Sequence, residues 1–343
     1  MGRRPLGLAS VMVIPKAYSR VTFQFPPLRS RGNLSPVDQL IAPWPVAEFW
    51  LPSCSMSVRH APALTAGAPA AVFIHGLGGS ALNWTDLMED LRTEVDGWAV
   101  DLGGFGQSPP PRNGDMSPAG HAACVIEFIE RELQAPVHIF GNSLGGAVAL
   151  QLAARRPDLV RSLTLISPAL PAMRPTKANV HLPVIAVPGL GEKLITKYLE
   201  LDAGARVRST MNTCLAEPGR LPIQRVDEAI DEARNRDHLA YACDAFLSSL
   251  RGLLRTFIDV GPNRPWKLAE RVQCETLVVY GKKDPLVDAS AAHRITRHFR
   301  AAHVMVLPDS GHAAQMEHPD LVARAWRRFF KSELPLVAEG RSS

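Results

Sequence analysis

No two of the five cysteines form a CxxC pair: Cys54, Cys124, Cys214, Cys243 and Cys274 are scattered and odd in number. That spacing argues against a disulfide framework and against a zinc site. It suits a reducing compartment, so a cytoplasmic location is expected, with the thiols serving as small core residues. No stretch reaches the roughly 18 apolar residues of a membrane-spanning helix. There is no internal repeat, no low-complexity block and no G-x-x-x-x-G-K string, which excludes solenoid and P-loop readings. Acidic residues are missing before Asp38, whereas Arg3, Arg4, Lys16, Arg20, Arg29 and Arg31 give that arm a charge of +6. The net charge of +5 therefore leaves a near-neutral body, and the basic pI describes a tail and no nucleic-acid-binding face.

Within the arm, Pro5 and Gly7 interrupt the apolar run that follows Arg3-Arg4, and no small-residue cleavage site follows it. It makes a poor secretory signal, and Leu6 stands where a myristoylation signal wants Ser or Thr. Residues 1–37 read as a disordered basic arm, capable of weak contact with a membrane surface. What remains is ordinary for a globular chain, with 46% apolar and 21% charged residues over 343 positions. Oligomeric state is not legible.

From residue 45 the pattern becomes regular. Stretches 46–51 and 54–59 suggest two antiparallel strands. Ala70–Ile74, Gly97–Val100, Val137–Phe140, Arg161–Ile166, Thr276–Tyr280 and His303–Leu307 are short apolar runs of the kind found in strands buried on both faces. Helical spacing separates them over 80–93, 117–134, 144–156, 289–300 and 319–332, with Ser117 placed to cap and Pro118 to open the second. Strands alternating with helices predict a mostly parallel α/β sheet covered on both faces. Residues 168–265 break the alternation. They read as several helices, clearest over 224–236 and 238–257, inserted after the sixth strand.

Gly141-Asn142-Ser143-Leu144-Gly145 fits G-x-S-x-G and falls between a buried strand and a helix, the context this pattern requires. So tight a turn strains the serine backbone, and the glycines remove side chains that would collide across it. Asp284, in Gly281-Lys282-Lys283-Asp284-Pro285, follows the strand 276–280, and His312, in Ser310-Gly311-His312, follows the last strand. A carboxylate there can fix the tautomer of a histidine that activates the serine. Asp288 is the rival acid, but its place suits the cap of the helix at 289. His293, His298, His303 and His318 read as surface or packing residues. His75-Gly76-Leu77-Gly78-Gly79 closes the first buried strand with a loop that can bring backbone N–H groups close to a developing oxyanion, and His75 reads as structural.

The chain resembles the α/β-hydrolase family over roughly residues 45–333, with nucleophile, acid and histidine in the family's order. The resemblance implies an α/β-hydrolase core over 38–167 and 266–335 with a helical lid over 168–265. It also implies a catalytic set of Ser143, Asp284 and His312, and an oxyanion hole from the amides of Leu77 and Leu144. Asp101-Leu102-Gly103-Gly104-Phe105-Gly106-Gln107-Ser108 is similar to the family's D-x-x-G-x-G-x-S loop and reads as a scaffold turn. Asn83, Trp84, Phe105 and Asn142 are candidates for the substrate pocket. The expected activity is serine-hydrolase cleavage of a carboxylic ester of an apolar small molecule through an acyl-enzyme, needing no metal or organic cofactor. Gly-Asn-Ser-Leu-Gly-Gly is also similar to carbon–carbon bond hydrolases of ring-fission products, although their G-P-G-A loop is replaced here by Leu77-Gly78-Gly79-Ser80. Serine at position 143 argues against the epoxide hydrolases and haloalkane dehalogenases of this fold, which use Asp. The same residues are compatible with a perhydrolase activity and with a catalytically silent binding module on this fold.

Overall fold

Strands that are apolar on both sides must be covered on both sides, and the two faces of this sheet divide the hydrophobic residues between them. A computed structural model describes residues 10–13, 21–24, 41–171 and 178–330. Ten strands form one sheet: β1 (Ser10–Val13), β2 (Val21–Gln24), β3 (Val46–Trp50), β4 (Ser55–Ala61), β5 (Ala70–Ile74), β6 (Asp96–Val100), β7 (Val137–Asn142), β8 (Val160–Ile166), β9 (Glu275–Gly281) and β10 (Ala302–Leu307). Their order is β2-β1-β10-β9-β8-β7-β5-β6-β4-β3. The six central strands from β10 to β6 are parallel, while β4, β3, β1 and β2 add antiparallel edges. The eight strands β3–β10 are the ones legible in the sequence. Within the stretch expected to be a disordered arm, β1 and β2 instead extend the sheet beyond β10. An open strand edge offers unpaired N–H and C=O groups, and the Val-Met-Val run at 11–13 has the strand preference to use them. The rest of residues 1–40 lies outside the described residues.

Four helices of the core are α1 (Thr85–Leu91), preceded by a 3-10 turn at Ala81–Trp84, α2 (Pro118–Phe128), α3 (Leu144–Arg155) and, at the end, α12 (Pro319–Phe330). Strand side chains alternate between faces. Val72, Ile74, Ile139, Leu163, Val278 and Tyr280 pack with Val125, Phe128, Val148 and Leu152 of α2 and α3. Phe73, Phe140, Leu277 and Val279 pack with Leu87, Met88 and Leu91 of α1 and Trp326 and Phe330 of α12. The Ser117 side chain accepts from Gly120 N and Pro118 opens α2, as its sequence position predicts. That helix ends in a wider turn at Ile129–Leu133, closed by Gln134 at φ +51°.

Between β8 and β9 the chain is helical: α4 (Leu182–Ile185), α5 (Leu190–Leu199), α6 (Ala203–Cys214), α7 (Ile223–Asp237), α8 (Ala242–Ile258) and the short α9 (Pro265–Ala269). The remaining helices are α10 (Ala292–His298) and α11 (Ala314–Glu317). α8 is seated firmly on the core. Ser249 Oγ hydrogen-bonds buried His121 Nε2 at 3.0 Å. At Gly252 a Cβ would meet the Ser117 Cα at 2.8 Å. α7 is tied to α1 by Arg225, whose guanidinium bonds both oxygens of Asp86 at 3.1 and 2.9 Å. By contrast Val184, Leu190, Leu194 and Tyr198 of α4 and α5 are exposed. No helix of the described residues is long and apolar enough to cross a membrane.

Candidate active site

β7 runs straight into α3 through Ser143, which sits at φ +54°, ψ −116°. For a residue with a side chain this backbone is strained, on the order of 1–3 kcal/mol, and persists only where neighbours enforce it. They do. A Cβ at Gly141 would meet Gly145 O at 2.4 Å, one at Gly145 would meet Ile74 O at 2.1 Å, and one at Gly146 would meet Pro168 Cβ at 2.8 Å. Ser143 N donates to Ile166 O at 3.1 Å. The serine therefore stands half-buried at the N-terminus of a twelve-residue helix, where the backbone favours negative charge.

Asp284 lies in the loop after β9. Its Oδ2 accepts from His312 Nδ1 at 2.9 Å, and its Oδ1 accepts from the amides of Leu286 and Val287 at 2.8 and 2.9 Å. Burial pushes this carboxyl up, but the charge and hydrogen bond of His312, with the Val287 amide, outweigh burial and hold it below the usual carboxylate value. Both side chains are buried. Asp288 caps the following turn by accepting from Ser290 N at 2.7 Å. The acid paired with the histidine is thus Asp284 and not its rival. Asn142 joins the serine turn to the histidine loop, because its Nδ2 donates to His312 O at 3.0 Å and to Ile166 O at 3.1 Å.

The loop after β5 is held from below. His75 donates from Nδ1 to Gly76 O at 2.8 Å and accepts at Nε2 from Leu102 N at 3.0 Å, which fixes one neutral tautomer. Burial drives its pKa down to about 3, so it bridges two loops and carries no charge near neutrality. Gly78 adopts φ +78°, and its carbonyl accepts from Arg236 Nη1 of α7 at 3.0 Å. Among the described residues neither the Leu77 amide nor the Leu144 amide donates a hydrogen bond. The turn at 101–108 is a scaffold. Asp101 accepts from Ala81 N and Gln107 N at 2.7 and 3.0 Å, and Ser108 Oγ donates to Asp101 O at 2.8 Å.

The pocket candidates are placed differently. Trp84 is fully buried against Phe73 in the α1–α12 core, and Phe105 is fully buried beside His75. Neither presents a free surface, and the Arg236 guanidinium lies over the Phe105 ring. Asn83 spends its side chain on the local turn, with Oδ1 accepting from Ser80 N at 3.3 Å. Asn142, also buried, braces the two loops as described. The residues that do crowd the site escaped the sequence reading: Phe246 of α8, 3.6 Å from a Cβ built on Gly78, Arg236 of α7, Cys214 at the end of α6, and Glu317 of α11. No local string marks any of them. His298 and His303 stack on Trp266 and Phe329 and bond Glu270 and Glu275, as packing residues do. Among the described residues no group of three His, Cys, Asp or Glu is arranged to hold a metal ion.

Comparison with known proteins gives a consistent picture. The family described as alpha/beta hydrolase fold matches residues 69–319. The chain is 28% identical to the dihydrolipoyllysine-residue acetyltransferase component of the acetoin cleaving system of Pseudomonas putida, over 77% of this chain and 64% of that protein. It thus spans less than two thirds of that relative's length. It is 28% identical to the pimeloyl-[acyl-carrier protein] methyl ester esterase of Neisseria meningitidis, over 75% of this chain and 91% of the esterase. Among solved structures, the 2-hydroxy-6-oxo-6-phenylhexa-2,4-dienoate hydrolase of Rhodococcus sp. strain RHA1 superposes with a TM-score of 0.67 at 22% identity, covering 84% of this chain and 99% of that one.

Proposed function

Because this chain belongs to the α/β-hydrolase fold family, we propose that it is a serine hydrolase cleaving a carboxylic ester of an apolar small molecule. Ser143 is the nucleophile, His312 the general base and Asp284 the acid that orients it. The observation that carries this reading is the buried 2.9 Å bond from His312 Nδ1 to Asp284, on a loop tied by Asn142 to the strained Ser143 turn. Asp284 holds the Nδ1–H tautomer and leaves Nε2 as the base. Ser143 attacks the carbonyl as Nε2 takes its proton. The amides of Leu77 and Leu144, which donate to no acceptor among the described residues, hold the oxyanion. His312 then protonates the leaving alcohol, and water releases the acyl group by the reverse sequence. The helices between β8 and β9 act as the lid, and the partly buried side chains of Leu77, Phe246 and Leu286 supply apolar surface. The Neisseria esterase, matched over 91% of its length, supports an ester as the bond broken. The scattered cysteines favour a cytoplasmic setting.

A fluorophosphonate probe should label the intact protein at Ser143 and leave Ser143→Ala unlabelled. Turnover of p-nitrophenyl esters of graded chain length should fall by about 10⁴-fold or more in that variant. An unlabelled wild-type protein would sink the hydrolase reading in favour of a silent binding module. Hydrolysis of a dienoic diketone with negligible ester turnover would reassign the bond to carbon–carbon.

A further inference from the structure

The ring of His312 is oriented by Asp284, but something else must set where its backbone lies. Position 312 is the third residue of the Ser310-Gly311-His312 loop, and that loop is gripped by a carboxylate outside the proposed triad. Glu317 sits at the end of α11, five residues after His312, with its side chain buried. One oxygen, Oε2, accepts from Gly311 N at 2.6 Å and from Ser310 Oγ at 3.3 Å. The other, Oε1, accepts from the amides of Ala216 and Glu217 at 2.7 and 3.0 Å. Those two amides belong to the helical insertion, on the strap that leaves α6. The same strap touches the histidine directly, since His312 N donates to Cys214 O at 2.6 Å. It also presses on the loop, because a Cβ at Gly311 would meet Cys214 O at 2.5 Å and Ala216 N at 2.6 Å.

We propose that Glu317 is a positioning residue for the general base: one carboxylate fixes the 310–312 loop from one oxygen and the insertion's 214–217 strap from the other. The insertion is then part of the mounting of His312 as well as a cover for the substrate. This rests on the serine-hydrolase reading above. The chemistry needs a carboxylate. Three of the four partners are backbone N–H groups that cannot accept, and an amide side chain brings only one accepting oxygen, so in either orientation its NH₂ would face at least one N–H. A misplacement of the base by about 1 Å can cost about 10²-fold in rate, with no effect on ground-state binding.

The test compares wild type with Glu317→Gln in three measurements: ester kinetics, the downfield exchangeable proton of the His312–Asp284 bond by NMR, and thermal stability. The proton is assigned by its loss in His312→Ala. The proposal expects kcat to fall by about 10²-fold with KM within about threefold of wild type, and the proton signal to shift or broaden. A carboxylate that merely stabilises the fold would lower the melting temperature and leave kcat and the proton signal unchanged; that result overturns the proposal. So does a loss expressed wholly in KM. Should Glu317→Gln fail to fold, Ser310→Ala carries the test. It removes one donor from the same carboxylate, and a severalfold loss in kcat at constant KM is expected, against none if Glu317 has no hold on the base. If wild type shows neither labelling nor ester turnover, the hydrolase reading fails, and the NMR signal still reports whether Glu317 holds His312.

Discussion

At the scale of single residues, the site rests on polar groups that have lost their freedom. Asp284 spends one oxygen on His312 and the other on two loop amides, so the histidine meets a carboxylate that cannot turn away. Asp284→Asn should keep the loop and its amide contacts but present an NH₂ where Nδ1–H must donate. That favours the wrong tautomer and lowers kcat by about 10⁴-fold with KM little changed. Steady-state kinetics on a p-nitrophenyl ester checks this, and a loss under tenfold would remove Asp284 from the role. The proposed set of Ser143, Asp284 and His312 is legible as a candidate in the sequence because each carries a local string and each follows a strand with an unmistakable apolar run. Glu317 and Arg236 are not. Nothing next to them in the chain marks them: Arg236 meets Gly78 across 158 positions, and Glu317, besides its near neighbours Ser310 and Gly311, reaches Ala216 and Glu217 about 100 positions away. Trp84 and Phe105 misled because an aromatic near a catalytic loop looks the same in sequence whether it faces the cavity or the core beneath.

Elements were legible in proportion to how fully they are buried. β5, β7, β8, β9 and β10 have both faces covered, and their apolar runs coincide with the strands to within a few residues. α4, α5 and α6 were not separable. Pro183, Pro188, Gly189 and Gly191 interrupt any helical period, and several of their apolar residues point outward, so no buried stripe reports them. α8 was legible because its inner face is buried at Ala245, Leu247, Ser249, Leu250 and Leu253. Its seat on α2 is close. Gly252→Ala places a methyl 2.8 Å from the Ser117 Cα, which is backbone and cannot turn aside. The helix must lift, carrying Phe246 away from the Gly78 loop. The expected outcome is an altered preference among ester chain lengths, read as a KM change of severalfold or more, with fluorophosphonate labelling of Ser143 retained. An unchanged chain-length profile would show that α8 does not shape the pocket.

For the molecule as a whole, buried neutral histidines set how it meets acid. Burial pushes His75 down to about 3 and His121 to about 4, against a usual value of 6.5. Both fold uncharged, while the unfolded chain takes up protons below about 6.5. Through these two groups the unfolded state binds more protons from about 6.5 down to 4, so they lower stability as pH falls through that window, by up to about 1.4 kcal/mol per unit for each group, against the opposite contribution of Asp101 and Glu232, whose carboxyls burial pushes up. Thermal melts across that window should show it. His121→Gln, which cannot be protonated and can still reach Ser249, should flatten the dependence. An identical slope in the variant would assign the acid sensitivity elsewhere.

The strap at 214–217 has one more consequence. Insertions between β8 and β9 invite transplantation, since exchanging them between relatives promises new specificity on an unchanged catalytic frame. Here the exchangeable unit does not end at the sheet. A chimera that imports a foreign segment without the amides of Ala216 and Glu217 and the carbonyl of Cys214 would leave Glu317 half-unsatisfied and the His312 amide without its acceptor. Such a hybrid would bind its new substrate and turn it over slowly. The junction that preserves turnover keeps host residues 214–217 and grafts only what lies on either side.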